Sequence, residues 1–171
     1  MEDASVTLQR ATLADQTVLL ELIALFCQED GHSFDEGRIR GALPALLEHD
    51  DFGRIYLIVT PDGTHDTQGD GSGENAKANP QGYLVTTWGY SLESGGREAL
   101  IDEIFVRERG QGLGASAMNA LLTPLKAEGF TVVFLETERA NHRARQFYAR
   151  FGFEEDDSIW LSRPLNPKHS A

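Results

Sequence analysis

The 171 residues suffice for one ordinary domain with a single sizeable core, and 40% hydrophobic against 25% charged residues is a normal globular balance. A net charge of −12 argues against a nucleic-acid partner, which needs clustered Lys and Arg. It suits a cationic substrate, and it also serves plain solubility. No apolar run approaches the roughly 20 residues of a membrane span. Met1 to Arg10 holds two acids and no apolar stretch of the kind a secretory signal carries. Cys27 is the only cysteine, so no intrachain disulfide can form, and a reducing cytoplasm is the expected compartment.

Val6 to Arg10 reads as a short strand. Thr12 is placed to cap a helix, with Asp15 three residues on as its capping-box partner. Val18, Leu19, Leu22, Ile23 and Phe26 have helical spacing, which predicts an amphipathic helix over Leu13 to Gln28, broken by Glu29-Asp30-Gly31-His32. Ser33 or Asp35 would cap a second helix carrying Ile39, Leu43, Leu46 and Leu47, interrupted by Pro44. Arg54 to Thr60 is rich in β-formers and reads as a strand.

Pro61 to Pro80 holds four glycines among Asp, Asn, Ser and Thr, and is expected to project into solvent as a long mobile hairpin loop rather than to link two domains. His65 and Asp66 within it lack further ligands at usable spacing, so no metal is expected. Gly82 to Tyr90 and Ala99 to Val106 are two further strands joined by a turn at Glu93-Ser94-Gly95-Gly96. Leu113, Ala117, Met118, Leu121, Leu122 and Leu125 form the stripe of a helix over Gly112 to Glu128, which Pro124 should kink or end. Thr131 to Glu136 reads as a strand, Asn141 to Phe151 as a helix and Ser158 to Ser162 as a last strand. Strands bunched in the middle, followed by β-α-β-α-β, indicate a mixed sheet with helices on its faces, in a single domain over residues 1–171.

One junction carries chemistry. The strand Ile101 to Val106 runs through Arg107-Glu108-Arg109-Gly110-Gln111-Gly112-Leu113-Gly114 into a helix. Glycines let the backbone turn sharply and approach a ligand, and the first N–H groups of a helix lack partners at its positive end. Together they suit a phosphate or pyrophosphate, with Arg107 and Arg109 adding charge. Gly114-Ala115-Ser116 is not the ending of a P-loop, and the turn lies too late in the chain for a dinucleotide-binding fingerprint. A plain glycine-rich turn is the bland alternative.

Asn141-His142-Arg143-Ala144-Arg145-Gln146-Phe147-Tyr148-Ala149-Arg150-Phe151-Gly152-Phe153 adds a second signal. Asn141 is a good N-cap, Gly152 suits a left-handed helix end, and Phe147 and Phe151 read as core aromatics. The turn Arg109-x-x-Gly112-x-Gly114 resembles the acetyl-CoA pyrophosphate loop of the GNAT superfamily of N-acetyltransferases. The later segment resembles that superfamily's second motif, Asn-x-x-Ala-x-x-Phe/Leu-Tyr-x-x-x-Gly-Phe. Order and separation match, and so does the layout from Val6 to about Leu165, although the strand meets the turn after a shorter connection than in many relatives.

The resemblance implies an α/β fold with a mixed, mostly antiparallel central sheet flanked by helices on both faces. It implies that Arg109, Gly110, Gln111, Gly112, Leu113 and Gly114 hold the pyrophosphate of acetyl-CoA, and that the backbone of Phe105 and Val106 runs beside the pantetheine arm. Asn141 would contact the cosubstrate near its thioester, and Tyr148 would protonate the leaving thiolate. The acceptor is an amine, and a lysine-like amine has a pKa of about 10.4, so a base must take its proton. Asp102, Glu103 and Glu136 are the candidates. Asp102 resembles the first acid of a Leu-Glu-Asp strand in diamine acetyltransferases, and Glu136 the acid of a Leu-Glu-Val strand in ribosomal-protein alanine acetyltransferases. Asp102 and Glu103 are adjacent on a strand and should point to opposite faces.

Cys27, in an apolar stripe, is expected to be buried and inert. His32 beside Glu29, Asp30 and Asp35 could grip a cation or simply form a solvated loop. The expected function is acetyl transfer from acetyl-CoA to a small-molecule amine, without metal, membrane or nucleic acid. The alternatives are acetylation of a protein N-terminus or lysine, and a noncatalytic acetyl-CoA-binding module. Oligomeric state is not readable from the sequence, though members of the superfamily are often homodimers.

Overall fold

The structure, a computed structural model, describes residues 5–61 and 79–165. The chain gathers into two compact units, residues 1–136 and residues 137–171. Almost all of the loop expected over 61–80, with His65 and Asp66, lies outside the described residues.

Among the described residues the first unit has five strands: β1 (Thr7–Arg10), β2 (Gly53–Val59), β3 (Gly82–Ser91), β4 (Gly96–Val106) and β5 (Phe130–Leu135), in spatial order β1-β2-β3-β4-β5. The first four pair antiparallel, and β5 runs parallel to β4. This is the mixed, mostly antiparallel sheet expected from the sequence. A short 3-10 turn, Leu13–Asp15, leads into helix α1 (Gln16–Asp30). The Asp15 carboxylate accepts from the backbone N and the Oγ1 of Thr12, both at 3.0 Å, which fixes the chain at the helix start. Gly31, at φ 73°, ends α1 in the left-handed conformation that costs glycine little. Asp35 then caps α2 (Glu36–Ala42), its Oδ1 accepting from Arg38 N at 3.0 Å. Pro44 opens a separate short helix, α3 (Pro44–Leu47), where a missing N–H costs nothing.

Helices cover both faces. Leu19, Leu20, Leu22, Ile23 and Cys27 of α1 join Leu43 and Leu47 in one core with Ile55, Leu57, Tyr83, Val85 and Phe105 of the sheet. Ile58 and Leu84 alternate with these strand residues and are fully buried on the opposite face. There helix α4 (Leu113–Ala127) packs against β1, β4 and β5 through Leu113, Ala117, Met118, Leu121 and Leu125. Pro124 sits inside α4 without ending it, since Glu128 N still donates to Pro124 O at 2.8 Å. Among the described residues no helix is long and apolar enough to cross a membrane.

The register of β3 on β4 slips once. Val85 lies opposite Glu103 and Thr86 opposite Ile101, so Asp102 is the extra residue of a β-bulge. Odd-numbered Ile101 therefore shares the α4 face with buried Thr86, while odd-numbered Glu103 and Phe105 share the α1 face with Val85 and Tyr83.

The end of the sheet remote from the glycine turn is closed by a cation–aromatic stack. The Arg97 guanidinium lies 4.1 Å from the Phe130 ring centroid and 5.6 Å from that of Trp88, and Arg54 lies 5.1 Å from Trp88. Trp88 Nε1 donates to Asp50 O at 2.9 Å, and Arg54 pairs with Asp50 and Glu128 at 2.8 Å each.

The second unit carries helix α5 (His142–Ala149), capped by Asn141, whose Oδ1 accepts from Ala144 N at 3.0 Å. Gly152, at φ 83°, turns the chain after it. The strand expected over Ser158 to Ser162 does not form: the chain from 153 to 165 has no regular structure beyond a bend at Leu165. Asp156 Oδ1 takes the N–H of Ser158 at 3.0 Å, so the acidic run makes a local turn where a ladder would start. Ile159, Trp160 and Leu161 are 83%, 73% and 92% exposed.

Two glycines give a sharp test of the packing. A Cβ on Gly82 would stand 2.0 Å from the carbonyl oxygen of Phe105, whereas one on Gly89 meets nothing within 4 Å. Gly82→Ala is expected to cost about 3 kcal/mol, lowering Tm by about 6–12 °C. Gly89→Ala should stay within about 0.5 kcal/mol of the parent. Thermal melts of the two variants check this.

Candidate active site

The parallel ladder between β4 and β5 runs from Arg97↔Phe130 to Ile101↔Leu135 and stops. β4 continues to Val106, paired only with β3. Among the described residues, its other edge over residues 102–106 thus presents backbone N–H and C=O groups without a neighbouring strand. Asp102 follows the last paired residue of β4 and Glu136 that of β5, so both candidate acids sit where the strands part.

Beyond Val106, Arg107 N still donates to Gln81 O at 2.7 Å, and then the chain turns. Gly110 (φ 92°) and Gly112 (φ 80°) both adopt the left-handed region, which explains why this turn needs glycine at these two places. The first helical bond is from Ser116 N to Gly112 O, at 3.0 Å. Among the described residues no partner takes the N–H groups of residues 110–115. These groups, at the positive end of a 15-residue helix, form a cradle of donors for anionic oxygen. Leu113 is buried beneath them and anchors the turn. Gln111 Nε2 donates to Glu108 Oε2 across the turn, and Arg109 Nη2 pairs with Glu29 Oε2 of α1 at 2.7 Å.

On the α1 face lies a group of polar side chains that the sequence alone did not connect. Tyr83, fully buried, donates its Oη to Glu103 Oε2 at 2.6 Å. The two are diagonal neighbours across β3 and β4, a relation that appears only once register and bulge are known. The ring of Phe105, the residue opposite Tyr83, packs 6.0 Å from it, and Phe26 of α1 packs 6.4 Å from Tyr83 and 6.3 Å from Phe105. His32 closes against Phe26 at 6.4 Å, with its Nε2 3.6 Å from Asp30 Oδ2.

Burial pushes the Glu103 carboxyl above its usual range; the Tyr83 hydrogen bond opposes this, the Asp102 charge adds to it, and His32 opposes it. Burial first, then the charge of Glu103, pushes the Tyr83 phenol far up, so it stays a donor. Asp102 is exposed at its bulge, yet the protein around it still raises its carboxyl by desolvation. Cys27 is buried, and desolvation, then the Glu103 charge, raises its thiol, which fits the inert role expected. Glu103 faces α1 with Val85, and Asp102, as the bulge residue, has no partner of its own on β3. Glu136 is exposed just past β5.

In the second unit, Asn141 and Tyr148 stand two turns apart on one side of α5. The Asn141 side-chain oxygen is engaged by its capping bond. Tyr148 is half-buried among Phe147 (5.2 Å) and Phe153 (5.9 Å), and desolvation raises its phenol. Phe147 and Phe151 are half-buried, not fully enclosed, and pack on each other at 5.1 Å. Among the described residues no three His, Cys, Asp or Glu side chains converge as metal ligands would.

Residues 72–153 match the profile of the acetyltransferase (GNAT) family. Among curated proteins none matches the sequence. Among solved structures, an integron cassette protein from the mobile metagenome of Cole Harbour Salt Marsh is 32% identical, with 94% of this chain and 91% of that one covered at a TM-score of 0.72. An aminoglycoside acetyltransferase from an uncultured soil metagenomic sample, in complex with sisomicin, is 16% identical over 97% of this chain and 100% of its own, at 0.69. A ribosomal-protein-alanine N-acetyltransferase from Brucella melitensis biovar Abortus 2308 is 17% identical over 93% and 99%, at 0.67. The last two likenesses are of fold.

The raised Glu103 carboxyl has a consequence for stability. An acid whose folded pKa lies above its unfolded value penalises the fold at pH values above both, and the penalty fades as pH falls between them. Glu103→Gln, which can still accept from Tyr83, should therefore raise Tm near neutral pH. The gain should shrink on acidification and vanish below about pH 4, the unfolded value. Paired melting curves across this range check both the sign and the window.

Proposed function

The chain belongs to the GNAT acetyltransferase family, and we propose that it transfers an acetyl group from acetyl-CoA to the amine of a small molecule. The observation that carries this reading is the open edge of β4 over residues 102–106, leading directly into a turn whose N–H groups over residues 110–115 have no partner among the described residues. An extended, amide-bearing arm ending in a pyrophosphate fits such an edge and such a turn. We take the two units as parts of one catalytic domain, because the family profile runs from residue 72 to residue 153 and crosses their boundary.

In this reading the backbone of Phe105 and Val106 pairs with the pantetheine arm, and the turn from Arg109 to Gly114 holds the pyrophosphate. Acetyl-CoA supplies an activated thioester. Of the three candidate acids, Glu103 is the proposed proton acceptor: it is half-buried, held in one position by Tyr83, and poised upward by burial. Asp102 and Glu136 flank the fork. The family motif assigns Asn141 to the thioester end of the cosubstrate and Tyr148, a phenol kept protonated by burial, to giving a proton to the departing sulfur. The acidic composition suits a cationic acceptor. The compartment is expected to be the cytoplasm.

The test is a panel of small amines, peptides and aminoglycoside-like compounds incubated with acetyl-CoA and followed by thiol release. Small-amine turnover supports the reading, and turnover restricted to peptides moves the acceptor to proteins. Tight acetyl-CoA binding with no acceptor would make the chain a binding module. Gly112→Asp puts a side chain and a negative charge where φ is 80°, and is expected to abolish acetyl-CoA binding in calorimetry while the fold persists. Tyr148→Phe should leave acetyl-CoA affinity and Tm nearly unchanged and lower kcat roughly 10²–10⁴-fold. Full turnover in that variant would remove Tyr148 from the mechanism.

A further inference from the structure

We propose that Tyr83 is a positioning residue for the acyl transfer: from the buried floor of the sheet, its hydroxyl holds the Glu103 carboxylate in the orientation and ionisation state that proton acceptance requires. The proposal rests on the reading of Glu103 as the proton acceptor. It concerns a residue no motif marks, since Tyr83 sits among the apolar residues of a core strand.

The geometry is specific. Tyr83 is the largest fully buried side chain in the protein's described residues, and its only described polar contact is the 2.6 Å bond to Glu103 Oε2. A phenol so deep is held rigidly by Phe26 and Phe105, so the carboxylate it donates to is held as well. A phenylalanine would fill the same core volume. The hydroxyl adds nothing to that packing; it touches one carboxylate oxygen, leaving the other for the acceptor's proton.

The electrostatics point the same way. The titratable and charged groups facing Glu103 are Tyr83 from β3, Asp102 from β4, Cys27 from α1 and His32 from the loop after it. Arg38 and Asp30 act on Cys27. Burial and Asp102 favour the protonated acid, in which Glu103 cannot accept a proton. Tyr83 favours the charged form, as does His32. His32 lies on an exposed loop, whereas Tyr83 cannot be displaced by solvent or salt. Removing the hydroxyl should then raise the pH at which Glu103 becomes competent.

The experiment measures kcat against pH at saturating amine, where ionisation of the free substrate drops out. Tyr83→Phe is expected to move the acid limb upward by about one to two pH units, the size of a hydrogen bond to a charged group. Below the displaced limb kcat should fall relative to the parent and recover as pH rises, with acetyl-CoA affinity unchanged. A site-specific fluorotyrosine at position 83, a stronger donor of the same shape, should move the limb downward, and it serves if the phenylalanine variant does not fold. An unmoved limb in either variant, or a loss of kcat equal at every pH, overturns the proposal. Glu103→Gln separates this from the parent reading. If it keeps full turnover, Glu103 is not the proton acceptor and both fall; if it loses turnover while the Tyr83 variants keep their limb, only Tyr83 falls.

Discussion

Everything in the first unit depends on how β4 divides its hydrogen bonds. A strand inside a sheet normally spends both edges along its whole length, because an unpaired backbone group is costly unless water or a ligand meets it. β4 spends both edges only as far as Ile101 and one edge from Glu103 to Val106, with the bulged Asp102 between. The bulge falls at the changeover. One extra residue there reverses which side chains face which helix layer, and the same step lets the chain bend away from β5. The opening between the strands and the delivery of Glu103 to the α1 face thus come from a single irregularity.

The fold tolerates that irregularity because its neighbours are firm. On one face Phe26, Tyr83 and Phe105 lock α1 to the sheet, and on the other the stripe of α4 fills the space below the glycine turn. A carboxylate beside such a core is a cost at neutral pH, and a strand selected for stability alone would place an apolar residue at position 103. A local rule broken between two well-satisfied layers is the pattern expected where a chain gives up stability for chemistry.

Most of the fold was legible in the sequence because most of its elements announce themselves locally. Thr12 with Asp15, Gly31, Asp35, Asn141 and Gly152 each do what their chemistry predicts at a helix boundary. The glycine turn was legible at a strand-to-helix junction, with both Gly110 and Gly112 left-handed. What stayed hidden depends on partners distant in the chain. The Tyr83–Glu103 bond spans 20 residues and the Arg109–Glu29 pair spans 80, and neither leaves a periodic trace. The bulge at Asp102 is a property of two strands together. The segment from Ser158 to Ser162 has the composition of a strand, but Asp156 diverts its first N–H into a local turn. Composition cannot reveal that competition.

The two tryptophans fall in different units and in opposite surroundings. Trp88 is half-buried, hydrogen-bonded through its indole, and flanked by the guanidinium groups of Arg54 and Arg97, while Trp160 is 73% exposed on an irregular stretch. Indole emission follows the polarity of its environment, so the chain carries two intrinsic optical probes of distinct colour. A red-shifting component on denaturation reports the sheet, and a component already red in the native state reports the tail. Fluorescence alone, with no label, can therefore ask whether the two compact regions of this chain melt together or in turn.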